Sequence, residues 1–193
     1  MTWFFRGSLL FSVLVMLNAC ATVISATTGD DGIEENPGRR STGAMMDDSS
    51  IETMIQVNLN AADPGLKAAH ISVVSFNGTV LLVGQVPSQE LKNLATRVAN
   101  SSNSRVKTVY NELEVAGVTA FFSRSNDAWL TAKVKTLMLA NNEVSGMRIK
   151  VVTENGVVYL MGLLTQQEAD KAVELVSNTG GVTKVVRAFE YIN

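Results

Sequence analysis

Cysteine, histidine and proline are all scarce in this chain of 193 residues, and each scarcity removes a class of function. The single cysteine, Cys20, can form no internal disulfide and no multi-thiolate metal site, so whatever Cys20 does it does alone. The single histidine, His70, has no identifiable serine or cysteine partner, and no serine sits in a Gly-x-Ser-x-Gly elbow. An enzyme is therefore not expected, nor a metal site. Charge of one sign is lacking too: a formal net charge of -2 offers nothing that would attract nucleic acid. With 46% hydrophobic and 18% charged residues, only three prolines and 14 glycines, the composition is that of a globular protein without a long low-complexity tract.

A long hydrophobic run is also missing. The apolar stretch from Ser8 to Leu17 follows a short segment with one positive charge, Arg6, and has about the length of a signal-peptide core, too short to span a bilayer comfortably. It ends in Leu17-Asn18-Ala19-Cys20, which resembles the bacterial lipobox. There a thiol carries diacylglycerol, and small neighbours let the peptidase reach the bond. The alternative is an uncleaved anchor helix running on through Ala26. Several acyl chains hold a protein firmly where one holds it marginally, which favours the lipobox. The resemblance implies cleavage after residue 19 and a covalent lipid on Cys20, with no other cofactor. Ala21 stands where an inner-membrane retention signal would place Asp, which implies delivery to the outer membrane, facing the periplasm. Residues 20–47 carry no periodic apolar pattern and read as a flexible tether.

The remainder reads one pattern twice. Asn77-Gly78 and Asn155-Gly156 recur at the same interval as Gly84 and Gly162. Asn-Gly suits the positive φ angles of a two-residue hairpin turn. Alternating apolar residues flank each turn: Ile71, Val73, Val80 and Leu82, then Ile149, Val151, Val158 and Leu160. Each copy is thus expected to hold a β-hairpin with one buried face. A helix precedes each hairpin, with Asp48 and Asp127 as expected N-caps. Its apolar stripe is Ile51, Ile55 and Leu59 in one copy and Leu130, Val134 and Met138 in the other. A second helix, capped by Ser88 or Thr165, and a last strand complete each unit. The fold class is α+β: two tandem αββαβ modules, residues 48–116 and 126–193, joined by a linker at 117–125. Each is a three-stranded sheet with two helices on one face, of about 68 residues, able to fold alone though marginally.

This order, with its Asn-Gly and Gly positions, resembles the BON domain, a bacterial envelope module. The most specific stretches are Ser125 to Thr131, with Trp129 inside it, and Thr153 to Leu163. The resemblance implies anionic-phospholipid binding by the second module, cardiolipin and phosphatidylglycerol being the candidate lipids. It also implies a role in outer-membrane integrity and enrichment at division sites.

Duplicated modules share what folding needs, so function is sought where they differ. Trp129 corresponds to Ser50, and on a helical wheel it lies roughly 100° from the stripe of Leu130, Val134 and Leu137. Lys133 and Thr136 follow it at i+4 and i+7. An amphipathic aromatic beside lysines suits a headgroup boundary, and Lys133 and Lys135 add on the order of 1 kcal/mol each against an anionic surface. The alternative is that Trp129 packs on the other module or the tether. The BON resemblance favours lipid. Val144 and Met147, in the loop after the helix, are candidates for the same surface, although Val144 also suits a cap on the core. An envelope protein or peptidoglycan could dock on this surface instead. Asp170 and Glu174 read as a solvated face, Met138 and Met161 as core filler, and Phe121 and Phe122 as candidates to pack one module on the other.

Overall fold

The computed structural model describes residues 38–116 and 122–193, with side chains from 126 onward in the second stretch. The signal segment, Cys20, most of the tether and the side chains of Phe121 and Phe122 lie outside the described residues.

Helix α1 spans Thr42–Ala62, and a short helix α2, Pro64–Ala68, leads into strand β1, His70–Phe76. Then come β2 (Thr79–Val86), α3 (Gln89–Ser102) and β3 (Thr108–Val115). The second module repeats the order with α4 (Phe122–Ala140), a 3-10 turn at Gly146–Arg148, β4 (Ile149–Glu154), β5 (Val157–Leu164), α5 (Gln166–Ser177) and β6 (Lys184–Tyr191). In each sheet the second strand is central, antiparallel to the first and parallel to the third. The αββαβ pattern holds, with the short helical turns added before β1 and β4. No described helix is long and apolar enough to cross a membrane.

The turns follow from their residues. Asn77 and Asn155 adopt φ of 52° and 51°, and Gly78 and Gly156 adopt φ of 79° and 75°, so both central turn positions are left-handed and Asn-Gly is well suited to them. Ser88 and Thr165 cap α3 and α5 as expected, Thr165 through a full capping box with Glu168.

The two aspartates are not caps. Helix α1 begins six residues before Asp48, capped by Ser41, so part of the stretch expected to be tether is structured. Arg40, within it, pairs with Asp48 at 2.6 Å and lies over the Phe76 ring at 3.8 Å. Asp48 and Asp127 sit inside their helices and are buried. The Asp48 carboxylate accepts from Ser75 Oγ, Asn77 N and Gly78 N at 2.7, 2.8 and 3.0 Å, and Asp127 accepts from Asn155 N and Gly156 N at 2.8 Å each. Each pins the Asn-Gly turn to the first helix of its module, satisfying amides that the turn leaves without a strand partner. Burial of Asp48 works against the charged form, but these bonds and Arg40 outweigh it and hold its pKa below the ordinary value.

Nor does each hairpin bury only one face. All eight residues of β2 and seven of the eight in β5 are buried. Val80, Leu82 and Val86 join Ile51, Ile55 and Leu59 in one helix-side core, and Val158, Leu160 and Leu164 join Leu130, Val134 and Met138 in another. The alternate positions build a third core: Val74, Phe76, Leu81 and Val83 of the first sheet meet Tyr159, Met161, Leu163 and Ala188 of the second. The sheets therefore pack on each other, with one pair of helices on each outer side. Polar contacts rim this seam, the first two of them counterparts in the two modules. Asn77 donates to Glu190 at 2.8 Å and Asn155 to Glu114 at 3.3 Å, while Gln85 donates to Glu154 and Lys150 pairs with Glu52, both at 2.9 Å. The modules share a core, so the sheet faces turned toward each other are covered only when both modules are in place.

Candidate functional site

Helix α4 presents its inner face through Leu130, Val134 and Met138, all buried. Leu137, expected in that stripe, is 38% exposed, because 100° per residue carries it to the edge once Met138 faces inward. The observed stripe centres roughly 140° from Trp129, further than the sequence suggested. Trp129 is 58% exposed, so it is neither a core residue nor part of the seam between modules.

Lys133 Nζ lies 5.0 Å from the centre of the Trp129 ring and donates to Gly180 O at 2.8 Å. The ammonium is thus held over the indole face by a cation–π contact and a carbonyl, with two of its three donors left over. Thr136 is exposed on the same side of the helix, its hydroxyl donating back to Ala132 O at 2.9 Å. Lys135 is exposed toward the flank. Met147, in the turn before β4, is 89% exposed, a large apolar side chain left in solvent.

Val144 is a correction. It is 6% exposed and belongs to the helix-side core of its module, packed among Leu130, Val134 and Met138. The loop must close the open end of that core, and an apolar side chain there is worth more inside than out. Leu137 and Leu139, both exposed on α4, were missed as members of the surface. The signal was present: at 100° per residue both fall about 80° from Trp129, one on each side. The resulting face is broad, apolar at Trp129, Leu137 and Leu139, and cationic at Lys133 and Lys135.

The remaining candidates do not form a reacting centre. His70 opens β1 with Nε2 3.8 Å from a Glu154 oxygen across the seam, and Asp170 pairs with Arg187 at 2.7 Å on the surface. Met138 and Met161 are buried filler. Tyr159 has its hydroxyl pKa pushed up to about 12, first by burial and then by Glu112, Glu114 and Glu154. Among the described residues no group of three or more His, Cys, Asp or Glu is placed to hold a metal ion.

Comparison with known proteins agrees with the duplication. The model of the BON domain family matches residues 47–117 and again 126–193. Over 188 residues, the chain is 36% identical to the outer membrane lipoprotein DolP of Haemophilus influenzae, covering 96% of this chain and 95% of that one. It is 37% identical over 153 residues to the 21 kDa hemolysin of Actinobacillus pleuropneumoniae, covering 79% and 78%. To the osmotically-inducible protein Y of Escherichia coli it is 29% identical over 181 residues, covering 92% and 89%.

Proposed function

The chain belongs to the BON domain family, and from that premise we propose that it is an outer-membrane lipoprotein, acylated at Cys20, whose second module binds anionic phospholipid. It acts as a binding protein on the periplasmic face, supports envelope integrity and concentrates at division sites. The observation that carries the lipid reading is the outer face of α4: Trp129 exposed, Lys133 held 5.0 Å over its ring, Leu137 and Leu139 exposed two to three turns further along the helix, and Met147 exposed in the turn beyond its end. Tryptophan prefers the headgroup boundary, leucine and methionine contribute by apolar burial just beneath it, and Lys133 and Lys135 select negative headgroups. The kinship with a named outer membrane lipoprotein supports the anchor and the compartment.

The test uses the mature chain without acyl groups. Trp129 is then its only tryptophan, because the other, Trp3, leaves with the signal. Vesicles containing cardiolipin or phosphatidylglycerol should blue-shift its fluorescence, while neutral vesicles should not. Trp129→Glu should abolish co-sedimentation with anionic vesicles and leave circular dichroism unchanged. Lys133→Glu should weaken binding less, and its effect should shrink with added salt. A folded Trp129→Glu protein that sediments like the parent would sink the lipid reading and leave an envelope protein or peptidoglycan as the occupant of this face.

A further inference from the structure

The first module carries its own cavity, on the opposite side of the shared sheets from α4. It has a volume of about 370 Å³ and lies between α1, the Asn77-Gly78 turn and the loop entering β3. Its apolar wall includes Ala44, Ile51 and Val106, and its charged wall includes Asp47, Arg105 and Lys107, whose Nζ is drawn to both carboxylate oxygens of Glu190 at 3.3 Å. Asp48 also lines it, but both of its oxygens are already taken, by Ser75 and Gly78 on one side and Arg40 and Asn77 on the other. With Lys107 paired to Glu190 and Asp48 engaged as described, the charged pair that faces a ligand is Asp47 and Arg105. Arg105 Nε stands 3.6 Å from Asp47 Oδ2, with the two side chains 61% and 49% exposed.

The duplication acts as an internal control. Residues that build the turn recur in the second module: Asp48 as Asp127, Asn77-Gly78 as Asn155-Gly156, Val106 as Val182. The loop is registered alike, Lys107 N donating to Gly78 O and Thr183 N to Gly156 O, both at 2.9 Å. The charged pair does not recur, for Asn126 stands at the place of Asp47 and Gly181 at that of Arg105. Folding this module type does not need the pair, and an ion pair so exposed adds little stability.

From the cavity and this pair we infer that the first module holds a site for an α-amino-acid head group, its carboxylate set against Arg105 and its ammonium against Asp47. The amino and carboxylate groups of such a head are joined through one Cα, which places their charges on the order of 3 Å apart. That span matches the 3.6 Å between the two protein groups, so the four charges can close a square of alternating sign. The apolar wall and the remaining volume accept what the head carries, whether the side chain of a free amino acid or a longer molecule. A simple anion or cation would meet one attractive and one repulsive neighbour, and is disfavoured.

The experiment titrates the full mature chain in neutral detergent with alanine, N-acetylalanine and alaninamide, then with lysine acetylated on its side-chain nitrogen. Amide NMR shifts are followed throughout. Alanine and the side-chain-blocked lysine should both shift resonances at Asp47, Gly78 and Arg105, while N-acetylalanine and alaninamide, each missing one charge, should not. Response to free alanine alone would restrict the site to small amino acids, and response to the blocked lysine extends it to heads displayed on larger molecules. The variant Asp47→Asn/Arg105→Gly installs the residues that the second module already accommodates, so its fold should survive. It should lose at least about tenfold in affinity for the responding ligand. No shift with either zwitterion, or shifts that persist in the double variant, would overturn the proposal. Neither result bears on lipid binding by α4.

Discussion

Leu81 and Leu82 are neighbours on β2 and both are fully buried, yet they point into different cores. Leu82 faces the helices of its own module, and Leu81 faces Tyr159 and Met161 of the other. A hairpin with one buried face would leave Leu81 in solvent, where Leu→Ala changes stability by no more than about 0.5 kcal/mol. With both faces covered, each substitution removes three carbons from a dry site at about 0.8 kcal/mol apiece. The cavity left behind adds to this, for a total of about 2–5 kcal/mol in either position. The two variants should therefore be destabilised alike. They should also be felt in the second module, because the third core is lost when either sheet opens. Urea denaturation of the mature chain followed in parallel by circular dichroism and by Trp129 fluorescence checks this, since that tryptophan reports only on the second module. Leu81→Ala should lower the midpoint of both signals together. A Leu81→Ala protein as stable as the parent, or one whose Trp129 transition stays put while circular dichroism shifts, would refute the shared core.

Asp127→Ala should cost about 2–4 kcal/mol, since it strips the acceptor from the amides of Asn155 and Gly156, whereas Asp127→Asn keeps an oxygen there and should cost less; chemical denaturation separates them. Asp48 has its folded pKa below the ordinary 3.8, so its contribution is present above that value and is lost as pH falls through the folded one. Asp48→Asn should flatten the acid limb of the stability profile, and an unchanged limb would show that the carboxylate is not held as described. Tyr159 shows the opposite sense, with a hydroxyl pKa raised from 10.0 to about 12. The neutral form is the one the seam favours, so its contribution is complete below about pH 10 and fades as pH climbs toward 12. Absorbance titration of the folded protein should give a late phenolate step that Tyr159→Phe removes, and an ordinary step near 10 in every tyrosine would contradict its burial.

Local and periodic features of the fold were legible in the sequence because they depend on neighbours along the chain. The Asn-Gly turns, the caps at Ser88 and Thr165, the stripes of the first helices and the duplication itself are of this kind, and so is Trp129 as the place where the copies diverge. What tertiary structure decided were the partners of groups far apart in sequence. Asp48 and Asp127 looked like caps because a cap and a turn anchor use the same short carboxylate. Only the approach of the Asn-Gly amides, some thirty residues away, determines which role is played. Val144 went inward because the loop after α4 closes a core whose open end no periodicity reveals. The second face of each hairpin was apolar in plain view at Leu81, Val83, Tyr159, Met161 and Leu163, but a run that is apolar on both faces states only that both are covered. That the cover is the other module, sheet against sheet, follows from how two copies of one shape pack, and it leaves α4 with its tryptophan on one outer side and the charged cavity of α1 on the other.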